Sequence, residues 1–331
     1  MKNTWTLSIA AGCILLIGAT VGWAAKEYVS DPAAPLAVPA GSGQIRANLP
    51  QYKFINPLLF SDNSKSADPR FQMLSASLKS YISSVKQSDS VDSVSVYFRD
   101  LNTGRWTGVD ENDLYTPSSM LKVVVMMAAL KLAEQNPSIL SEKFLYKKTD
   151  YSTGNHFNSE DPIATGYYSL QDMVGFMIKY SDNDAFNALV ADKRINSEFT
   201  QVYSLFKLPE AGLMGSTTDF MSPKSFSTVF RTLYNSSFFE WNLSEQVLNL
   251  LSQTTFKQGL VGGVPGSVVV AHKFGENTDE LHDCGVVYYP NDPYLLCVMT
   301  RGTNADALGA VIGKVSKIVW DFVGQGGVSQ N

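Results

Sequence analysis

Residues Tyr115–Glu134 read "YTPSSMLKVVVMMAALKLAE". Pro117 and the periodicity that follows it predict a helix beginning near Ser118, apolar almost all round, which is the mark of a buried central helix rather than a surface one. Lys122 stands near its start, three residues after Ser119. On a helix that spacing puts both side chains on one face, within reach of each other. Burial and the helix dipole both disfavour a charged amine there, and a neutral amine is a base that can take the proton of Ser119. The plainer alternative is a lysine whose stem snorkels to solvent and a serine that only caps the helix.

The chain has 331 residues, 44% hydrophobic and 17% charged, enough apolar material for one large domain or two small ones. A formal charge of -5 and the lack of any basic stripe exclude nucleic acid as a partner. Trp5–Ala25, "WTLSIAAGCILLIGATVGWAA", carries no charge. As a helix rising about 1.5 Å per residue it would cross a bilayer's hydrocarbon core, so residues 1–25 read as a transmembrane signal-anchor or a long signal peptide. Trp23, placed as an interfacial residue should be, favours the anchor. Either way the rest of the chain is exported, and residues 5–25 are the membrane contact. Residues 26–68, with Pro32, Pro35, Pro39, Pro50 and Pro57 and the "AGSG" at 40–43, read as a tether without regular elements. "FINPLLF" at 54–60 is apolar enough to dock on the domain that follows.

Residues 69–331 form that domain. Asp68 as N-cap and Pro69 at the first helical position open "FQMLSASLKSYISSV". "SVSVYFRDL" and "RWTGV", joined by "NTG", read as a hairpin, and "SVVVAHKF", "CGVVYY" and "YLLCVMT" as three further strands, the last two joined by "PNDP". "DALGAVIGKVSKIVWDFV" closes the chain as a helix. The middle is helical: Ser169 with Asp172 makes a capping box, and Ser222-Pro223 opens another helix. Strands from both ends with helices between imply a sheet, an inserted helical lobe, and a cleft where they meet.

Two more segments bear on Ser119. "KYSDNDAFNALV" places Ser181, Asp182 and Asn183 between two helices, and "VVVAHKFGE" places Lys273 and Gly275 at the end of a strand. Ser-x-x-Lys, Ser-Asp-Asn and Lys-x-Gly in this order resemble the signature of class A β-lactamases and penicillin-binding proteins. The resemblance covers roughly Pro69 to Val323, and "SDNDAFNAL" is similar to the family's Ser-Asp-Asn-x-Ala-x-Asn segment. No triplet suffices alone, since a second Ser-Asp-Asn stands at Ser61–Asn63 in the tether, and Ser181 with Asp184 could be only a capping box. The resemblance implies an α/β (α+β) fold: a five-stranded antiparallel sheet, flanked by N- and C-terminal helices, with an inserted all-helical lobe.

It also implies roles. Ser119 would be the nucleophile and Lys122 its base or proton relay. Ser181 would pass a proton toward the leaving nitrogen, Asn183 would hold Lys122 and a substrate amide, and Lys273 would supply positive potential beside Ser181. The backbone N–H groups of Ser119 and Glu276 would form the oxyanion hole, with Gly275 lining the substrate's edge. Three departures stand against the family pattern. Phe274 occupies the place of a threonine or serine that helps bind the substrate carboxylate. His282 stands where an arginine often contacts that carboxylate, and reads either as a weaker, pH-dependent substitute or as a histidine in a structural hydrogen bond. The stretch "FKLPEAGLMGSTTDFMSP" lacks the family's Glu-x-x-Leu-Asn context for a deacylating glutamate. Glu210 is the nearest candidate there, a doubtful one, with Asp219 behind it.

His156, His272 and His282 are not spaced as metal ligands, and the mechanism calls for no metal or other cofactor. Cys284 and Cys297 fall on adjacent strands, close enough for a diagonal contact. A disulfide is open to them in an exported protein, but two buried free thiols are the preferred reading. The expected function is a membrane-tethered serine hydrolase opening a β-lactam or related amide. The alternatives are a DD-peptidase on cell-wall peptides or another acyl hydrolase, and a non-catalytic envelope-binding module that keeps the fold. The sequence sets no oligomeric state.

Overall fold

The computed structural model describes residues 44–61, 70–87, 89–149, 156–157, 163–206, 208 and 218–326. The apolar segment 5–25, Asp68, Pro69 and Glu210 lie outside these. No helix among the described residues is long and apolar enough to cross a membrane.

Alternation along the strands explains the layers. In β3 (Ser93–Asp100), Val94, Val96 and Phe98 point to one side and Ser95 and Tyr97 to the other. β3 pairs antiparallel with β4 (Trp106–Val109) and with β9 (Tyr294–Arg301), β9 with β8 (Glu280–Val287), and β8 with β7 (Val270–Glu276). The result is the expected five-stranded antiparallel sheet, in the order β4-β3-β9-β8-β7. On the Val96–Phe98 side it is covered by α1 (Arg70–Val85) and α8 (Ala305–Gly324), which contribute Phe71, Leu74, Leu78, Val311, Ile312 and Val315 to one core.

The other side meets the helical lobe. Its centre is α2 (Lys122–Gln135), where every residue from Lys122 to Leu130 is buried, as a helix apolar all round requires. Around it lie α3 (Leu170–Lys179), α4 (Asn183–Ala191), α5 (Lys193–Leu205), α6 (Pro223–Tyr234) and α7 (Trp241–Leu251). The Ser169–Asp172 capping box opens α3, and Ser222 with Pro223 opens α6, as read from the sequence. A two-stranded ribbon, β5 (Lys143–Tyr146) with β6 (Gly166–Ser169), joins the lobe. α4 begins differently from the alternative in which Ser181 and Asp184 form a capping box: its N-cap is Asp182, whose carboxylate accepts from Ala185 N at 2.6 Å.

The expectation of a tether without regular elements over 26–68 is corrected at 44–61. β1 (Gln44–Arg46) and β2 (Leu58–Ser61) pair antiparallel, and Pro50 and Pro57 fall in the turn between them and just before β2 rather than inside a strand. Phe54 and Ile55 are buried in the lobe-side core, the docking anticipated for "FINPLLF". The Glu245 carboxylate accepts from the backbone N–H of Lys53, Phe54 and Ile55 at 2.7, 2.8 and 3.0 Å. Arg46 donates to Asn235 Oδ1 at 2.9 Å.

Cys284 and Cys297 are a second correction. They face each other directly in the β8–β9 register, with Cα atoms 4.0 Å apart, and are joined as a disulfide rather than standing as two free thiols in diagonal contact.

Candidate active site

Ser119 does not sit in the α-helix proper. Residues Ser118–Leu121 form a tighter 3₁₀ turn, and α2 begins at Lys122. Ser118 adopts a left-handed backbone, φ 48°, a conformation that costs a non-glycine residue of order 1–3 kcal/mol and is often found where a side chain must be aimed. β7 lies against this turn. A Cβ on Gly275 would meet Pro117 O at 2.5 Å and Met120 N at 3.2 Å, so only glycine lets the strand edge approach so closely.

The Lys122 amine is ringed by oxygens. Its Nζ lies 3.0 Å from Ser119 Oγ, 2.7 Å from Asn183 Oδ1 and 3.3 Å from Ser181 Oγ, and it also contacts Ser181 O. Ser181 presents both its carbonyl and its hydroxyl from a left-handed backbone, φ 56°. An ammonium has three donors and no acceptor, whereas a neutral amine donates to the carbonyl and the amide oxygen and accepts from the Ser119 hydroxyl. Burial lowers the Lys122 pKa to about 7, and the negative charge of nearby Asp182 partly opposes that fall. Asp182 is itself fully buried, held by Ala185 N and by Tyr146 Oη at 2.9 Å.

Ser181 Oγ links two amines. Lys273 Nζ donates to it at 2.8 Å and to Phe274 O at 2.9 Å, from a fully buried position on β7. Burial, and after it the neighbouring Lys122, lower the Lys273 pKa well below its ordinary value, while Asp283 and Glu276 act in the opposite sense. A proton leaving Ser119 for Lys122 therefore has a hydroxyl path through Ser181, with a second amine behind it.

The sequence profile described as the beta-lactamase enzyme family matches residues 76–323. The chain belongs to that family. Among curated relatives, the β-lactamase CTX-M-8 of Citrobacter amalonaticus is 24% identical over 226 residues, 63% of this chain and 77% of the relative. The solved structure of PBP-A aligns with a TM-score of 0.65 at 19% identity, covering 75% of this chain and 96% of that one. A β-lactamase from Chitinophaga pinensis aligns with a TM-score of 0.66 at 18% identity, covering 76% and 99%. At such identities the two structures establish a shared fold.

Within this beta-lactamase-family chain, the structure gathers Ser119, Lys122, Ser181, Asn183 and Lys273 and brings Gly275 against the serine turn. His282 lies opposite Gly275 in the register, yet it goes to the structural alternative. It is fully buried, its Nδ1 accepts from Thr300 N at 3.2 Å, and its Nε2 lies 3.1 Å from Thr116 O. Those bonds engage both ring nitrogens, with Nε2 donating and Nδ1 accepting. Phe274 is buried against Phe256, rings stacked at 4.4 Å, and Lys273 Nζ sits 4.1 Å from the centre of its ring. Asp219 accepts from Thr116 Oγ1 at 3.2 Å and from Arg301 Nη2 at 2.6 Å.

Three contributors had no role assigned from the sequence. Asp182 stood within the Ser-Asp-Asn triplet as an unassigned middle residue, and only the α4 N-cap position could have signalled its inward carboxylate. Tyr146, which holds it, comes from β5, a strand the sequence reading does not include. The Glu276 carboxylate, which accepts from His156 N at 2.9 Å and Phe157 N at 3.2 Å, depends on a tertiary contact with no local pattern.

Proposed function

We propose that the chain is a serine hydrolase that opens a β-lactam or related amide through an acyl-enzyme on Ser119. The observation that carries this reading is the buried Lys122 amine, 3.0 Å from Ser119 Oγ and lowered to a pKa of about 7. An amine poised near neutrality is matched to general-base work at physiological pH. Lys122 takes the Ser119 proton as Oγ attacks the carbonyl carbon. The backbone N–H groups of Ser119 and Glu276 receive the charge that develops on the carbonyl oxygen. The proton then passes through Ser181 to the leaving nitrogen, with Lys273 holding positive potential beside that hydroxyl and Asn183 holding Lys122 and the substrate amide. Water later releases the acyl group from Ser119, a step for which Glu210, outside the described residues, is the doubtful candidate base that the sequence offers.

No cofactor enters this sequence of steps. Residues 5–25 tether the protein to the cytoplasmic membrane as a single pass, or are cleaved to release it, and the catalytic domain works on the outer side. The Phe274 ring, where a hydroxyl is the family's rule, favours as a second reading an acyl substrate other than a β-lactam or a cell-wall peptide.

Intact-protein mass spectrometry after mixing with a penicillin tests the reading. A covalent adduct that maps to Ser119 and is absent from Ser119→Ala is the expected result. An adduct retained by Ser119→Ala would remove Ser119 from the mechanism.

A further inference from the structure

The basic side chains around Ser119 among the described residues already have partners inside the protein. Lys122 is engaged by Ser119, Ser181 and Asn183. Lys273 directs its amine at Ser181 Oγ, at Phe274 O and at the face of the Phe274 ring, so its partners are all within the protein. His282, a further basic side chain there, has both nitrogens on backbone groups, with Glu280 Oε2 3.6 Å from its Nε2. Arg301 lies between Glu280 and Asp219, a trio that keeps one net negative charge. Glu276 adds another carboxylate at the end of the strand that carries Lys273, close enough to act on its charge.

A carboxylate entering this site would have to take Lys273 from the aromatic face, against the charge of Glu276 at the end of the same strand. A neutral ester or amide needs only the backbone edge of β7 and the serine turn. We propose that the site selects acyl substrates with no carboxylate beside the scissile bond, and that the Phe274 ring over Lys273 sets this selectivity. The inference rests on the acyl-serine reading given above.

The test compares a chromogenic cephalosporin with its methyl ester, using the full chain in detergent micelles and intact-mass measurement of the Ser119 acylation rate. The ester is expected to acylate about tenfold or more faster than the free acid, a discrimination within reach of one lost polar or charged contact. Phe274→Thr should reduce that ratio about tenfold. Because Phe274 packs on Phe256, circular dichroism must first show that this variant folds. Glu276→Gln gives an independent check and should likewise move the ratio toward the acid: it removes the charge but keeps an acceptor for only one of the His156 and Phe157 N–H groups, which the carboxylate accepts on separate oxygens, so its fold is checked by circular dichroism as well. A free acid that reacts as fast as the ester in the unaltered protein overturns the inference and leaves the acyl-serine reading intact, as does a ratio unchanged in the folded variants. If neither compound labels Ser119, the acyl-serine reading fails, and the inference with it.

Discussion

Lys122 is protonated at its ordinary pKa of 10.5 in an unfolded chain and loses its proton at about 7 in the folded one. Between those values the unfolded state binds more protons, so stability rises with pH across that window, and below about pH 7 the cost of the buried amine is felt in full. A shift of this size corresponds to about 5 kcal/mol. Urea denaturation at pH 7 and pH 9 should therefore show a gain that is about 2–3 kcal/mol larger in the unaltered protein than in Lys122→Met. Equal gains would mean that Lys122 titrates normally. Asp182 acts through Lys122: its charge raises the amine's pKa, and Asn is itself a good helix N-cap. Asp182→Asn should accordingly move the acid limb of the acylation profile to lower pH while the helix keeps its start, and an unmoved limb would make Asp182 purely structural. The Ser119–Lys122 pair was legible only jointly: its three-residue spacing is a local pattern that gains meaning from the Ser181–Asn183 and Lys273–Gly275 segments that follow it in order. His282 was ambiguous from sequence because its partners, Thr116 and Thr300, lie on other elements.

Among the elements, the β1–β2 arm and β7 each carry a prediction. The arm buries Phe54 and Ile55 and gives three backbone N–H groups to Glu245, so a chain cut to begin at residue 68 loses more than a linker. Burial of the two side chains alone is worth about 3–6 kcal/mol. Chemical denaturation of that truncated chain should show a loss of at least this order relative to one beginning at residue 43, and equal midpoints would make the arm incidental. β7 must approach the Ser118–Leu121 turn without a Cβ at position 275. Gly275→Ala should push strand and turn apart and slow Ser119 acylation by about 10²-fold, the scale of a 1 Å misplacement, with the circular dichroism spectrum retained. The five strands, the closing helix and the helix starts at Ser169 and Ser222 followed from alternation and caps. The arm was misread because its prolines argue locally for a tether, whereas Glu245, 190 residues away in sequence from Ile55, supplies the ordering contacts. The β5–β6 ribbon lacked a turn signal for the same reason: its pairing is set by the lobe.

At the scale of the whole molecule, the sheet divides two cores, and the candidate site lies where its β7 edge meets the central helix of the lobe. Both parts contribute: Ser119, Lys122, Ser181 and Asn183 from the lobe side, Lys273 and Gly275 from the sheet. That division follows from a chain that leaves a sheet, builds helices and returns, which the order of motifs already implied. The Cys284–Cys297 register did not follow, because it depends on where the "PNDP" turn ends each strand, and one residue decides whether two side chains face each other. Alkylation of the unfolded, unreduced protein should leave both cysteines unlabelled, and labelling of both before reduction would contradict the bond. The central claim, an acyl-serine site run by a near-neutral lysine, is tested most directly by the pH dependence of Ser119 acylation, followed by intact mass from pH 5 to pH 9. The expected rate climbs through an apparent pKa of about 7. A rate that is flat across that range, or an adduct on another residue, would contradict it.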